Sequence, residues 1–303
     1  MCKGTNLKWY NCLRNVKYTA LKVFQTVVEI QKYLLEINRL DKNTVGFVPT
    51  MGALHEGHLS LIRSSKAKTA ITVCSIFVNP TQFNDLKDFE GYPIQIDKDL
   101  EMLLSAGCDV VFIPSFEEIY PNGIVQNPDI TLGYIGNALE ATHRPGHFEG
   151  VLQVVKRLLD IIQPDLLILG QKDYQQCLVI ARLIEHFHLP IHLEICETWR
   201  EKNGLAMSSR NMRLNEEERS SAIKLSQAIF YIRDHILQKP IDKLIEEQLN
   251  YLSLDELIHV EYLSVVDGKT LEPVTEYTEG IPLTILIAAK LGQIRLIDNV
   301  IVK

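Results

Sequence analysis

The sequence lacks the features that would place the protein in a membrane or outside the cell. No segment approaches the roughly 20 consecutive apolar residues of a membrane span, and no continuous apolar core follows the first basic residues as in a signal peptide. The six cysteines are scattered over 303 residues without a C-x-x-C pair, which argues against a disulfide framework or a zinc site. We therefore expect buried thiols, a reducing compartment and a cytoplasmic protein.

Signatures of several common enzyme and binding classes are missing as well. The chain contains no G-x-x-x-x-G-K-[ST] loop, no G-x-G-x-x-G fingerprint and no G-x-S-x-G elbow. Asp and Glu number 38 against 31 Lys and Arg, and the resulting net charge of −7 disfavours binding to nucleic acid. A local basic pocket for a small anion remains compatible with that charge.

Short apolar runs alternate with helical patterns up to about residue 198. Residues 26–29 have the spacing of a capping box, which predicts a helix from there to residue 40. Strands are predicted at 45–49, 71–78, 109–114, 166–169 and 191–196, and helices at 59–68, 98–106, 151–162 and 175–187. The alternation is typical of buried parallel strands joined by crossovers, so we expect a doubly wound, Rossmann-like α/β domain at 21–198.

The pattern changes after residue 198. Helices are predicted at 216–238 and 241–252, and strands follow at 259–266, 283–290 and 293–302, with Gly292 in a hairpin turn between the last two. This order indicates a smaller α+β domain at 199–303. Residues 1–20 show no clear period and are predicted to be an N-terminal extension.

Clusters of polar residues follow four of the predicted strands. They lie at 49–58, 79–83, 170–176 and 204–211. Open α/β sheets bind ligands at the carboxyl ends of their strands. We therefore expect the four clusters to converge on one rim of the sheet.

The side chains of these clusters are suited to phosphate. His55 and His58 are three residues apart at a predicted helix start, where both rings and the free amides can face one anion. Lys172 could contact a phosphate and Asp173 a ribose hydroxyl, while 208–210 supply two hydroxyls and a guanidinium. The alternatives are a zinc pair or structural histidines for the first cluster, and ordinary solvated polar turns for the other two.

Five of these motifs, in this order, resemble the pantothenate synthetase family, the pantoate–β-alanine ligases. They read VPTMGALHEGH at 48–58, SIFVNPTQF at 75–83, RPGHF at 144–148, KDYQQ at 172–176 and MSSRN at 207–211. The resemblance runs from about residue 21 to the closing LIDN at 296–299. The outer motifs also resemble the HIGH and KMSKS elements of the nucleotidyltransferase superfamily.

The resemblance implies a two-step reaction. ATP would activate pantoate as pantoyl adenylate with release of pyrophosphate, and β-alanine would then displace AMP to give pantothenate. Mg²⁺ would accompany ATP, with Asp99 helping to hold it. A homodimer formed through the first domain is also implied.

Site residues follow from the same resemblance by position. Gln82 and Gln176 would bind pantoate, and Arg144 and His147 would line the mouth of the site. His58, His55 and Lys172 would be catalytic, with His58 as proton donor. The residues implied in ATP binding are Met51, Gly52, Ala53, Leu54, His55, Glu56, Gly57, His58, Gly170, Gln171, Lys172, Asp173, Trp199, Met207, Ser208, Ser209 and Arg210.

The chain departs from the family pattern in three places. Gln171 stands where glutamate is usual, Ile94-Gln95 stand where Arg-Thr is usual, and the N-terminal extension is atypical. Two other functions remain open on the sequence. One is a nucleotidyltransferase that adenylylates a phosphate, and the other is a noncatalytic nucleotide-binding module.

Overall fold

Six parallel strands form the sheet at the centre of the first part of the chain. The computed structural model describes residues 21–41, 43–124 and 129–302. The strands are β1 (Lys22–Phe24), β2 (Val45–Thr50), β3 (Ile71–Ile76), β4 (Val110–Phe112), β5 (Leu166–Gly170) and β6 (His192–Cys196). Their order across the sheet is β1-β4-β3-β2-β5-β6. The predicted parallel sheet is confirmed, with β1 as an additional edge strand.

Ten α-helices lie in the described ranges, and the longer ones connect or cover the strands. They are α1 (Val27–Asp41), α2 (Glu56–Lys68), α3 (Leu86–Glu90), α4 (Ile96–Ser105), α5 (Phe116–Ile119), α6 (Glu140–His143), α7 (His147–Ile162), α8 (Tyr174–His186), α9 (Glu216–His235) and α10 (Ile241–Ser253). Short 3₁₀ turns at 80–82, 133–136, 171–173 and 209–213 complete the helical segments.

Successive side chains along each strand point to opposite faces of the sheet, and an apolar core lies on each face. Phe47 packs with α1, α7 and α8, whereas its neighbour Val48 packs with α2 and α4. Val110 and Phe112 likewise face the first layer and Val111 the second. Because successive side chains of a strand point to opposite faces, strands covered on both sides read as continuous apolar runs. The doubly wound arrangement is thereby confirmed.

The start of α1 differs in one detail from the predicted capping box. The Thr26 hydroxyl oxygen accepts a hydrogen bond from the Glu29 amide at 3.3 Å, as expected of an N-cap. The Glu29 carboxylate accepts from the Thr26 hydroxyl at 2.9 Å instead of returning to the Thr26 amide. The two side chains therefore pair with each other, and only one half of the box forms.

A second, antiparallel sheet contains β7 (Ile258–Asp267), β8 (Leu283–Leu291) and β9 (Ile294–Val302). The hairpin between β8 and β9 places Gly292 at a φ of 55°, in the left-handed region that glycine adopts without a steric penalty. Helices α9 and α10 pack on this sheet around a core of their own. The predicted α+β arrangement is confirmed, while the boundary at residue 198 stays a prediction and residues 1–20 lie outside the described part.

The described part of the chain contains four of the six cysteines. Cys74, Cys108, Cys177 and Cys196 are all free thiols, and the first three are buried. Among helices of the described ranges, none combines the length and the apolar character that crossing a membrane would need.

Candidate active site

A cleft opens at the carboxyl ends of the parallel strands, where the direction of the chain across the sheet reverses. Strand β2 lies between β3 and β5, so the two halves of the sheet diverge from it. The cleft has a volume of about 210 Å³ and receives residues from all four polar clusters. The predicted convergence on one rim is confirmed.

The loop after β2 is held in an unusual backbone conformation. Gly52 has a φ of 78° and Ala53 a φ of 50°. Such a φ at alanine needs support from its surroundings, and here Asp99 accepts hydrogen bonds from the amides of Ala53 at 2.9 Å and Leu54 at 2.8 Å. The Ser209 hydroxyl donates to the Ala53 carbonyl at 3.0 Å. These contacts fix the loop that delivers the histidines.

His55 and His58 lie together at the N-terminus of α2, with ring centroids 4.0 Å apart. The amide of His55 donates to Nδ1 of His58 at 3.3 Å, which leaves the proton of a neutral ring on Nε2. Burial, and after it the Lys172 charge, lower the pKa of His55 to about 4. Burial and then His55 hold the pKa of His58 well below its usual value. Both rings are therefore neutral at pH 7.

Lys172 enters the cleft from the turn that follows β5. Its Nζ lies 3.3 Å from Asp173, and its side chain is 17 % exposed against 51 % for the aspartate. Partial desolvation in the cleft raises the pKa of the Asp173 carboxyl, but the charges of Lys172, Arg210 and Arg144 more than offset this and the pKa is lowered. The cleft thus holds a cation beside a carboxylate that is ionised at neutral pH.

Arg210 is placed by an acidic residue that the sequence did not point to. Its Nη2 donates to Asp88 at 2.8 Å, and Nη1 of Arg213 donates to the other oxygen of the same carboxylate at 3.1 Å. Burial lowers the Arg210 pKa, but the Asp88 charge outweighs it and the pKa is raised. A guanidinium therefore faces the cleft from an anchored position.

The deep side of the cleft combines one amide with an apolar wall. Gln82 is buried and donates to Sδ of Met51 at 3.2 Å, while its Oε1 accepts from Asn79 at 3.2 Å. The wall consists of four residues of α7 at helical spacing. They are Val151, Val154, Val155 and Leu158.

His147 begins α7 beside this wall and contacts two groups of different character. Its Nδ1 lies 2.8 Å from the Gln82 carbonyl and its Nε2 lies 3.1 Å from Nη1 of Arg144. An arginine can only donate, so Nε2 must accept and Nδ1 must carry the proton. Burial and then the Arg144 charge lower the pKa of His147 to about 4.

Most of the site residues named from the sequence line the cleft. They are Met51, His55, Gly57, His58, Gln82, Arg144, His147, Gly170, Lys172, Asp173, Gln176, Trp199, Met207, Ser208, Ser209 and Arg210. Six others do not appear in its lining, namely Gly52, Ala53, Leu54, Glu56, Asp99 and Gln171. Glu56 pairs with Arg63 at 3.0 Å outside the cleft, and Gln171 turns toward Asn299.

Asp99 lies behind the histidine loop rather than in the cleft. It is 1 % exposed, and each carboxylate oxygen already accepts an amide hydrogen bond. The geometry supports a role for Asp99 in shaping the loop. The magnesium contact that the resemblance implied for Asp99 stays a prediction, because each carboxylate oxygen has a second acceptor site.

Several lining residues received no role of their own from the sequence, although Thr50 and Phe77 lie within the quoted motifs. Thr50, Phe77, Tyr92 and Thr198 belong to the cleft, as does the apolar face of α7. A repeat of apolar residues at i, i+3, i+4 and i+7 reads as an ordinary core face. The buried Thr198 hydroxyl has no hydrogen-bond partner, but a threonine after a strand carries no distinctive signal in one sequence.

Known proteins similar to this chain point to one family. The family model described as Pantoate-beta-alanine ligase matches residues 22–301. A pantothenate synthetase from Cytophaga hutchinsonii is 43 % identical over 279 residues, covering 91 % of this chain and 98 % of that protein.

Solved structures agree with the sequence relatives. The crystal structure of pantothenate synthetase from Thermus thermophilus is 35 % identical, with a TM-score of 0.85 over 92 % of this chain and 98 % of that one. A pantoate-beta-alanine ligase from Francisella tularensis, complexed with beta-gamma ATP and beta-alanine, is 34 % identical with a TM-score of 0.77 over 93 % and 97 %. This chain belongs to the pantoate–β-alanine ligase family.

Proposed function

We propose how the cleft divides the family's reaction among its residues. As a pantoate–β-alanine ligase, the chain uses ATP to join pantoate to β-alanine. The proposal is that an acyl adenylate forms first and that the amine then displaces AMP. The observation that carries it is the convergence of two neutral histidines, Lys172 and the 208–210 segment on one cleft.

The phosphates of ATP are assigned to the rim between α2 and the 171–173 turn. Free amides at the start of a helix favour an anion, and the neutral His58 ring keeps its Nε2 proton available for donation to a phosphate oxygen. Lys172 and Arg210 line the same cleft and supply positive charge, and Ser208 and Ser209 line it as well. These groups would stabilise the negative charge that develops as pyrophosphate leaves.

The adenosine is assigned to the side of the cleft formed by Gly170, Asp173, Trp199 and Met207. Asp173 offers carboxylate oxygens that can accept from ribose hydroxyls. Trp199 is 47 % exposed and offers an aromatic face on which a base can stack.

Pantoate is assigned to the deep side, near Gln82 and Gln176. A neutral amide can orient hydroxyls and a carboxylate without the strong ground-state stabilisation of an ion pair, which would weaken the nucleophile. The wall of α7 suits the hydrocarbon part of the acid. Pantoate would thus lie below the phosphates with its carboxylate directed at them.

The chemistry then requires two displacements. A carboxylate oxygen of pantoate attacks the α-phosphorus, a new oxygen–phosphorus bond forms, and the bond to pyrophosphate breaks. The amine of β-alanine next attacks the acyl carbon and loses a proton, and AMP leaves with the oxygen that had joined the two parts. His58 is proposed as the hydrogen-bond donor to the departing pyrophosphate, assisted by His55 and Lys172.

Magnesium is proposed to enter as part of the Mg–ATP substrate. The described ranges contain no group of three or more His, Cys, Asp or Glu residues that could hold a metal ion, and each Asp99 oxygen accepts one amide hydrogen bond. Mg²⁺ commonly keeps several waters and binds through substrate phosphates. No step of the proposal is therefore assigned to a resident metal.

The remaining proposals concern assembly and location. A homodimer through the first domain follows from the resemblance, and β6 leaves one edge of the six-stranded sheet unpaired within the described chain. A cytoplasmic location agrees with the free thiols at four cysteines. Light scattering of the purified protein tests the homodimer. A particle of twice the mass of one chain would support it, and a particle of the mass of one chain would contradict it.

Exchange of labelled pyrophosphate into ATP tests the proposed order of steps. The adenylate mechanism predicts exchange with pantoate in the absence of β-alanine, because the first half-reaction is complete in itself. Exchange that appears only with β-alanine would indicate a concerted reaction. Exchange that requires a phosphorylated acceptor would favour the nucleotidyltransferase alternative, and its absence with every acid tried would favour a noncatalytic module.

A further inference from the structure

The last strand of the second sheet reaches the turn that carries Lys172. Asn299 on β9 is 1 % exposed, and its Nδ2 donates to the carbonyl oxygens of Gln171 and Lys172, both at 2.9 Å. Its Oδ1 accepts from Nε2 of Gln171 at 3.0 Å. Both polar atoms of the Asn299 side chain are therefore directed at this one turn.

Asp298, the residue before Asn299, connects strand β9 to the segment between Trp199 and Met207, two residues that line the cleft. Asp298 is buried and accepts from Nη1 and Nη2 of Arg200 at 2.6 and 2.8 Å. Arg200 donates in turn to the Asn299 carbonyl at 3.1 Å and pairs through a β-bridge with Ala206. Strand β9 is thus bonded both to the Lys172 turn and to the segment between Trp199 and Met207.

The two carbonyls that Asn299 contacts have a particular relation to Lys172. The Gln171 carbonyl belongs to the peptide plane that precedes the Lys172 Cα, and the Lys172 carbonyl belongs to the plane that follows it. A residue has only two soft backbone dihedrals, and these are set by the orientations of those two planes. Holding both carbonyls therefore fixes the direction in which the lysine side chain leaves the backbone.

We propose that Asn299 is a positioning residue for Lys172, so that the second domain supplies part of the phosphate site without touching ATP. The proposal rests on the role assigned above to the Lys172 ammonium. A misplacement of about 1 Å at a reacting centre can slow a reaction by roughly 100-fold. Loss of the two carbonyl contacts is a direct way to cause such a misplacement.

Asn299→Asp tests the proposal because it preserves shape and removes both donors. Single-turnover measurement should show adenylate formation slowed by about 10- to 100-fold. Attack of β-alanine on supplied pantoyl adenylate should stay within about 2-fold of wild type, because pyrophosphate has already left. If Asn299→Asp does not fold, Asn299→Ser, which is neutral and loses at least one donor, should show the same selective loss at smaller size.

A double-mutant cycle with Lys172→Ala separates positioning from general damage. Once the ammonium is gone, Asn299→Asp should change adenylate formation by less than about 3-fold, since residues that act through one another are not additive. Val300→Ala is the matched control on the same strand, because Val300 packs in the core of the second domain. It should lower the melting temperature and leave adenylate formation at the wild-type rate.

Three results would overturn the inference. These are an equal loss in both half-reactions, an additive cycle, and a Val300→Ala variant as slow as Asn299→Asp. The proposed function is judged separately by Lys172→Ala alone. If Lys172→Ala forms adenylate at the wild-type rate, the proposed role of Lys172 is wrong. If Lys172→Ala is slow but Asn299→Asp forms adenylate at the wild-type rate, only the positioning role of Asn299 is wrong.

Discussion

Lowering the pH from 7 to 5 should destabilise this protein through His147. In the folded chain Nε2 of the ring accepts a hydrogen bond from Arg144 at 3.1 Å. Protonation of that nitrogen would break the bond and place two cations side by side in a buried position. Burial and the neighbouring Arg144 accordingly lower the pKa of His147 to about 4, from 6.5 in the unfolded chain.

The direction and size of the effect follow from linkage. A histidine whose pKa is lower in the folded state contributes its full stability above the unfolded pKa and loses it as the pH falls toward the folded pKa. Between pH 7 and pH 5 this amounts to about 2 kcal/mol for a group with these two pKa values. His55, with its pKa also lowered to about 4, acts with the same sign.

His147→Gln isolates the contribution. Glutamine can donate to the Gln82 carbonyl and accept from Arg144, as the neutral ring does, but it does not titrate. Urea unfolding at pH 7 and at pH 5 gives the free energy of unfolding of wild type and variant. Its decrease between the two pH values should be about 2 kcal/mol smaller in the variant. The same substitution at His192, whose side chain is exposed, controls for the change of residue type. A His147→Gln variant that loses as much stability as wild type would refute the reasoning.

Two further predictions concern catalysis. Gln82→Ala and Gln176→Ala should weaken pantoate use by about 10- to 150-fold, the range of a buried hydrogen bond to a charged group, with ATP binding nearly unchanged. Isothermal titration with each ligand checks this, and an equal loss of ATP affinity would contradict it. Lys172→Ala and His58→Ala should each slow adenylate formation by roughly 10²–10³-fold in single-turnover experiments. Attack of β-alanine on supplied pantoyl adenylate should change much less, and an equal loss there from a folded variant would show that the cleft as a whole is disturbed.

The sequence predicts the first sheet well because its strands are buried on both faces. Val45–Thr50 and Leu166–Gly170 read as apolar runs for that reason, and the polar residues after them converge because parallel strands end at one edge. Lys22–Phe24 was not recognised because it begins with a lysine, whereas the equally short Val110–Phe112 lies in a continuous apolar run. Its pairing with β4 is a tertiary contact.

The limits of prediction at the site have a common physical origin. The resemblance assigned Asp99 to magnesium, and no signal in the sequence pointed to its contacts with the loop after β2. In the structure its two oxygens accept hydrogen bonds from the amides of Ala53 and Leu54. Asp88 and Asn299 act on residues 122 and 127 or 128 positions away. Such partners depend on how distant segments pack, which one sequence does not reveal.

Transfer of an oxygen atom from pantoate to AMP tests the central claim most directly. Pantoate labelled with ¹⁸O in its carboxylate is turned over with ATP and β-alanine, and the products are analysed by mass spectrometry. If pantoyl adenylate forms, the carboxylate oxygen that attacked the α-phosphorus leaves with AMP, so each AMP carries one ¹⁸O. AMP without the label, or label found in inorganic phosphate, would contradict the adenylate mechanism.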